Sequence, residues 1–143
     1  MKLTRRTLIV LAAAAPLATP IAGALAQTKT AIGGYDAVSY FTVGKPEKGD
    51  PRFSHMWDGR TYLFTSEQHR ALFAGNPDKY APQFAGHCAS GLAGGQKAEA
   101  DPTNWLISDG RLYLFFAGTD GPAQMRKDPT IAARADANWK IMK

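Results

Sequence analysis

The sequence of 143 residues contains one cysteine, Cys88, and three histidines, at positions 55, 69 and 87. A single cysteine excludes a disulfide within the chain and the paired-cysteine frameworks of structural zinc sites. The histidines lie 14 and 18 residues apart, which is not the spacing of a local histidine pair at a zinc site. Cys88 is therefore a buried small hydrophobe, a ligand, a reactive thiol or half of an intermolecular bridge.

Acidic residues are missing from the first 26 positions, which have the features of an export signal. A basic start with the pair Arg5-Arg6 precedes a largely apolar run, and small residues at 24–26 suit cleavage. The adjacent arginines favour the twin-arginine route, with the general secretory route as the alternative. We therefore expect a cleavable signal peptide over residues 1–26 and a soluble periplasmic domain over residues 27–143.

The rest of the chain lacks a strong charge of either sign. The full chain has 17 basic and 12 acidic residues, but three basic residues belong to the signal, which leaves 14 against 12. No cluster of Lys and Arg remains, so a nucleic-acid partner is not expected. The apolar run of the signal is too short and too rich in alanine to cross a bilayer comfortably, so no integral membrane segment is expected after signal removal.

Two seven-residue segments of the chain match each other, Asp58–Phe64 and Asp109–Phe115, and they are identical at six positions. Each begins with Asp-Gly, which supplies the two positive-φ residues of a type I′ turn, and each is flanked by short apolar stretches. The segments predict two β-hairpins. Their identity favours duplication of a hairpin unit over convergent turn chemistry.

Short helices are predicted around the hairpins, over residues 65–74, from Cys88 to about Gly94, over 129–142 and, as a single turn, over 122–127. Asp128 can cap the last long helix. Residues 76–83 contain two prolines and are expected to form an irregular crossing. The predicted fold class is α+β, a small antiparallel sheet built from two β-hairpins and packed with two to four short helices.

Cys88 is the main candidate for chemistry. Its neighbours are small residues, which let a second backbone or a ligand approach closely. At a helix N-terminus, free N–H groups and the helix dipole would favour the thiolate. The candidate metal ligands are Cys88, His87 and His55, with Met56 as a further soft donor, and such a set suits copper or another transition metal.

Two alternatives to a metal site stay open for Cys88. The first is a thiol redox role or a disulfide-linked homodimer. The second is a buried, inert thiol in a structural or protein-interaction domain.

Signatures of catalysis are missing. No Walker-type or dinucleotide-type glycine pattern follows a predicted strand. Cys88 paired with His55 or His69 would lack an evident oxyanion device. No catalytic residue is assigned, and a binding role is favoured over an enzymatic one.

Further segments complete a joint pattern with the hairpin repeats, namely Gly34–Phe41, Trp57–Phe64, Asn76–Gln83, Gly86–Ala89 and Asp101–Trp105. Together they resemble the YHS domain family, specifically its small exported bacterial members, over nearly all of the chain after the signal. The resemblance implies a small α+β module of hairpins and short helices. It also implies kinship with cysteine-rich metal-binding modules found beside copper-transporting ATPases and some oxygenase components.

The chain departs from those metal-binding relatives at the cysteines. They use several, whereas Cys88 stands alone here. His87 occupies a place where tyrosine is common among the exported members. The leading hypothesis from the sequence is a periplasmic, non-catalytic binding module, for copper or a metal-containing cofactor held through Cys88, with His87 as a helper.

Overall fold

The two Asp-Gly pairs close two β-hairpins, as predicted. In the computed structural model, which describes residues 28–143, Asp58 and Gly59 have φ values of 49° and 71°. Asp109 and Gly110 have φ values of 50° and 72°. Positive φ at both central residues is the type I′ geometry. The predicted signal peptide over residues 1–26 lies outside the described residues.

The five strands of the described part of the chain are β1 (Lys29–Thr30), β2 (Asp50–Trp57), β3 (Arg60–Phe64), β4 (Asp101–Ser108) and β5 (Arg111–Phe115). Its six α-helices are α1 (Ser39–Thr42), α2 (Glu67–Gly75), α3 (Pro77–Tyr80), α4 (Ala89–Ala93), α5 (Gly121–Lys127) and α6 (Thr130–Met142). The α+β class is confirmed. Six helices exceed the two to four expected, because very short segments such as α1 and α3 also adopt helical turns. None of the helices in residues 28–143 is long and apolar enough to cross a membrane.

The two hairpins form separate sheets rather than the single sheet that was expected. The first sheet has the order β1-β3-β2, with β1 parallel and β2 antiparallel to β3. The second sheet contains β4 and β5 in antiparallel register. Each hairpin has a register shift at the same place, after Asp50 in one and after Asp101 in the other. The hairpins are thus alike in their irregularities as well as in their turns.

This likeness extends to the segments that precede each hairpin. Residues 31–34 and 83–86 each form a turn with three successive left-handed residues, which we name the first and second left-handed turns. The φ values are 42°, 58° and 81° for Ile32, Gly33 and Gly34, and 60°, 52° and 82° for Phe84, Ala85 and Gly86. Left-handed backbone at a residue with a side chain costs about 1–3 kcal/mol, so the surrounding structure must hold these turns in place.

Backbone hydrogen bonds repeat in the same way between the two halves. The Asp36 N–H donates to the Glu47 carbonyl at 2.8 Å, and the Cys88 N–H donates to the Ala98 carbonyl at 2.9 Å. The repeat therefore comprises a left-handed turn, a short helix and a hairpin. A repeat of this extent supports duplication of a whole unit over convergent turn chemistry.

The buried side chains form two clusters that share strand β5. Leu112 and Leu114 belong to the first cluster, together with the first hairpin and α2. Tyr113 and Phe115 belong to the second cluster, which is formed mainly with α4, α5 and α6. Successive residues of a strand point to opposite faces, so β5 lies between the two clusters and joins the halves of the molecule.

Candidate functional site

The side chain of Cys88 is fully buried, with 0% of its surface exposed. Cys88 is the N-cap of α4, and its Sγ accepts a hydrogen bond from the Gly91 N–H at 3.4 Å. It belongs to the second cluster, with Phe84 and Leu92 among the other members. The predicted helix start is confirmed. Reactive cysteines are partly exposed, and this sulfur is enclosed by apolar side chains.

The small residues around Cys88 are explained by packing. A Cβ at Gly91 would lie 3.0 Å from the ring of Phe116, and a Cβ at Gly86 would lie 3.1 Å from Cγ2 of Ile32. Gly86 is also left-handed, at 82°. Larger residues at these positions would push α4 and the second left-handed turn away from their neighbours.

His87 lies beside Cys88 in the chain and is 9% exposed. Its Nδ1 lies 2.7 Å from the carbonyl oxygen of Phe84, and a carbonyl can only accept, so Nδ1 carries the proton. The imidazole packs against the indole of Trp139, with ring centroids 5.4 Å apart. His87 therefore fixes the second left-handed turn to α6.

His55, the third predicted metal ligand, lies on β2 in the other half of the molecule. Its ring packs on Phe73 of the first cluster, with centroids 6.0 Å apart, whereas Cys88 belongs to the second cluster. The neighbouring Met56 side chain is 61% exposed. In residues 28–143 no group of three or more His, Cys, Asp or Glu side chains could hold a metal ion. The set Cys88, His87 and His55 is not assembled into one site.

The sequence interpretation missed a cluster centred on Asp36, whose side chain is 0% exposed. Its Oδ1 accepts hydrogen bonds from the backbone N–H groups of Val38 at 2.8 Å and Ser39 at 3.3 Å. Its Oδ2 accepts from the N–H and hydroxyl of Thr65 at 2.8 and 2.9 Å, and lies 2.6 Å from His69 Nδ1. The carboxylate thereby joins the start of α1 to the end of β3 and to α2.

Asp36 is the counterpart of Cys88 in the structural repeat. Each follows a left-handed turn by two residues, and each side chain accepts from the N–H three residues later. Alignment of the two halves beyond the hairpins is the sequence signal that could have found this cluster.

A cleft of about 170 Å³ opens between the first hairpin and α6. Trp57 and Trp139 line it from the two sides, and Gln83 and Phe84 of the second left-handed turn also line it. Its charged lining residues are Asp58, Asp78 and Lys143. This cleft, unlike Cys88, offers aromatic and charged groups to solvent.

The wall of the cleft around Gln83 is held by an ionic network. Oε1 of Gln83 accepts from Arg111 Nε at 3.0 Å and from Arg111 Nη2 at 2.6 Å. The same guanidinium pairs with Asp136 at 2.8 Å, and the hydrogen bonds to Asp136 raise the pKa of Arg111. The Arg111 charge beside the cleft is therefore compensated.

No family model, curated protein or solved structure matches the chain.

Proposed function

We propose that this chain is an exported, periplasmic, non-catalytic binding module of the YHS type, in which Cys88 is an inert structural residue. The observation that carries the role of Cys88 is the complete burial of its side chain, with Sγ accepting from the Gly91 N–H. A sulfur held in this way supports the start of α4. It offers no surface to a soluble metal, oxidant or second thiol.

The arrangement of the other candidate ligands supports the same proposal. The Nδ1–H of His87 donates a hydrogen bond to the Phe84 carbonyl, and the imidazole packs against the indole of Trp139. His55 packs on a different cluster from Cys88. Binding is instead proposed for the solvent-open cleft beside the first hairpin.

Copper, another transition metal or a metal cofactor at Cys88 is the second candidate function. It is favoured by the thiol and imidazole of Cys88 and His87, which are chain neighbours at the start of α4. This function requires Sγ to leave the second cluster and His87 Nε2 to reach the same ion. A thiol redox or homodimer role requires the same exposure of Sγ.

Thiol accessibility and metal titration separate these functions. Wild type would be treated with iodoacetamide under native and unfolding conditions, with Cys88→Ser and Cys88→Ala as controls that have no thiol. All three proteins would be titrated with Cu(I), Zn(II) and haem. We expect alkylation of the native thiol to be slower by on the order of 100-fold or more, because labelling requires local opening. We also expect the three proteins to bind the three probes equally weakly.

Two results would contradict the inert role of Cys88. One is metal or haem binding in wild type that both variants lose while they stay folded by circular dichroism. The other is a dimer on a non-reducing gel that disappears in Cys88→Ser.

A further inference from the structure

We propose that the cleft between Trp57 and Trp139 binds an organic ammonium group. This inference rests on the proposed function, because it names the ligand class of the binding module. Such a group has a positive charge on a small apolar unit of a few atoms. It can belong to a small free amine or to a lysine side chain.

Both indoles that line the cleft are held in place by neighbouring rings. Trp57 packs edge-on against Phe73, with centroids 6.0 Å apart and an interplanar angle of 87°. Trp139 packs on Phe84 at 6.2 Å and on His87 at 5.4 Å. Rings that are already fixed lose little freedom when a ligand binds, and the face of an indole is the aromatic surface that attracts cations best.

Trp139 already holds a cation within the molecule. The Nζ of Lys97 lies 5.1 Å from the centroid of the Trp139 ring. This ring is therefore placed to interact with an ammonium group. Trp139 and Trp57 both line the cleft, and the proposal places the ligand's ammonium group there.

The charges of the cleft also favour a cation. Asp58 and Asp78 line it, and neither has an ion-pair partner within residues 28–143. Lys143 is the one basic residue of the lining. Two carboxylates against one ammonium leave a net negative site, and Lys143 acts as an internal competitor of the ligand.

The volume of the cleft limits the size of the ligand. Pockets for drug-sized molecules measure about 300–1,000 Å³, whereas this cleft measures about 170 Å³. It accepts a head group rather than a whole cofactor. Its indoles and carboxylates also lack the thiolate or free imidazole that a soft metal prefers, so an organic cation fits the lining better.

Nuclear magnetic resonance of the indole N–H groups tests this site residue by residue. Trp57, Trp105 and Trp139 give one indole signal each, assigned with single Trp→Phe variants, and Trp105 packs on Tyr40 in another part of the molecule. Purified protein would be titrated with tetramethylammonium chloride, and with tert-butanol as a neutral probe of similar shape. We expect saturable shifts of the Trp57 and Trp139 signals with a dissociation constant on the order of 1 mM, and none for Trp105.

Charge variants give the matched control. The double variant Asp58→Asn/Asp78→Asn should weaken tetramethylammonium binding by about fivefold or more, as expected for removal of two partly screened charges. Asp109→Asn changes the equivalent turn residue of the second hairpin and should leave binding unchanged. Lys143→Ala should tighten it.

Choline and a blocked lysine amide, titrated in parallel, identify the source of the ammonium group by which of them binds more tightly.

The inference is overturned if tert-butanol gives the same shifts as tetramethylammonium, or if the double variant binds like Asp109→Asn. Cys88 alkylation in the same samples keeps the two proposals separate. If the protein binds no cation but its thiol is protected, only the proposed ligand class is wrong. A reactive native thiol removes the structural role of Cys88, whatever the cleft binds.

Discussion

Asp36 and Cys88 occupy equivalent positions in the two halves of the molecule. Asp36 Oδ1 accepts from the Ser39 N–H at 3.3 Å, and Cys88 Sγ accepts from the Gly91 N–H at 3.4 Å. Both side chains are fully buried, and both follow a left-handed turn. The same backbone position therefore carries a carboxylate in one half and a thiol in the other.

The two positions differ in the number of groups that they satisfy. The Asp36 carboxylate has four N–H or O–H donors and the imidazole of His69 around it. The Cys88 sulfur has one N–H donor. A carboxylate can be buried only when such partners are present, whereas a thiol is stable in apolar surroundings with one weak hydrogen bond. Each residue therefore suits the number of hydrogen-bond donors around it.

Asp36→Ala should be among the most destabilising single substitutions in residues 28–143. It removes the acceptor of the buried Val38 N–H, and also that of the half-buried Thr65 N–H and hydroxyl and of His69 Nδ1. We expect the free energy of unfolding to fall by about 3–5 kcal/mol, measured by urea denaturation. Asp120 is exposed and its side chain makes no cap hydrogen bond. Asp120→Ala should therefore change stability by about 0.5 kcal/mol or less, and equal effects of the two variants would contradict this account.

Cys88→Ala should destabilise the protein moderately. It removes the sulfur that caps α4 and leaves a small cavity in the second cluster. We expect a loss of about 1–3 kcal/mol in the free energy of unfolding. Cys88→Ser restores a cap oxygen but buries a hydroxyl among apolar groups, so it should not recover the wild-type value. A wild-type urea midpoint for Cys88→Ala would show that Sγ contributes nothing to α4.

Gly121→Ala tests how closely α5 approaches the second hairpin. A Cβ at this position would lie 2.3 Å from Cδ1 of Phe115, whose side chain is fully buried. We expect a loss of about 2–4 kcal/mol, because the ring has no free space into which it can move. Gly75 is the matched control at the end of α2, since its Cβ would meet nothing within 4 Å. Gly75→Ala should keep the unfolding midpoint or raise it slightly.

Alkaline pH should destabilise the protein through its buried tyrosines. Burial raises the pKa of Tyr62 from 10.0 to about 12. Because the pKa is higher in the folded state, the stabilisation is complete below pH 10 and is lost as the pH rises toward 12. The loss from Tyr62 should reach about 1–2 kcal/mol near pH 11.5. It would be measured as the difference between urea denaturation curves at pH 9 and pH 11.5.

Tyr62→Phe should reduce this alkaline loss. Tyr113 is the repeat equivalent of Tyr62 and serves as the comparison. Burial also raises the pKa of Tyr113, and an arginine opposes the effect at both residues, Arg111 at Tyr113 and Arg60 at Tyr62, but the shift of Tyr113 is the smaller of the two. Tyr113→Phe should therefore protect less than Tyr62→Phe. An alkaline loss that is the same in wild type and Tyr62→Phe would exclude Tyr62 as a cause.

The elements that the sequence predicted correctly are those decided by neighbours in the chain. Asp58-Gly59 and Asp109-Gly110 need only their own φ preferences to form type I′ turns. The helix over 129–142 was predicted from its spacing and from Asp128. The structure has α6 over Thr130–Met142, with Asp128 Oδ1 accepting from the Thr130 N–H at 3.0 Å. These interactions span a few residues, so the local sequence contains all of them.

The left-handed turns could not be predicted in this way. Ile32, Phe84 and Ala85 adopt positive φ although each has a side chain that disfavours it. Packing against residues outside the turn must hold such residues in place. Gly86 and Ile32, from the two turns, lie so close that a Cβ added at Gly86 would be 3.1 Å from Cγ2 of Ile32. The two sheets were likewise expected to be one, because hairpin patterns do not say which strands pair with which.

The sequence by itself determined the two hairpins, the main helices and the absence of a multi-cysteine site, since turn chemistry, helical spacing and residue counts are local or compositional properties. The tertiary structure alone decided that Cys88 is enclosed, that Asp36 meets His69 from 33 positions away, and that Trp57 and Trp139 line one cleft. These outcomes depend on how the two halves pack around β5. Burial and contacts between distant residues exist only once the whole chain has folded.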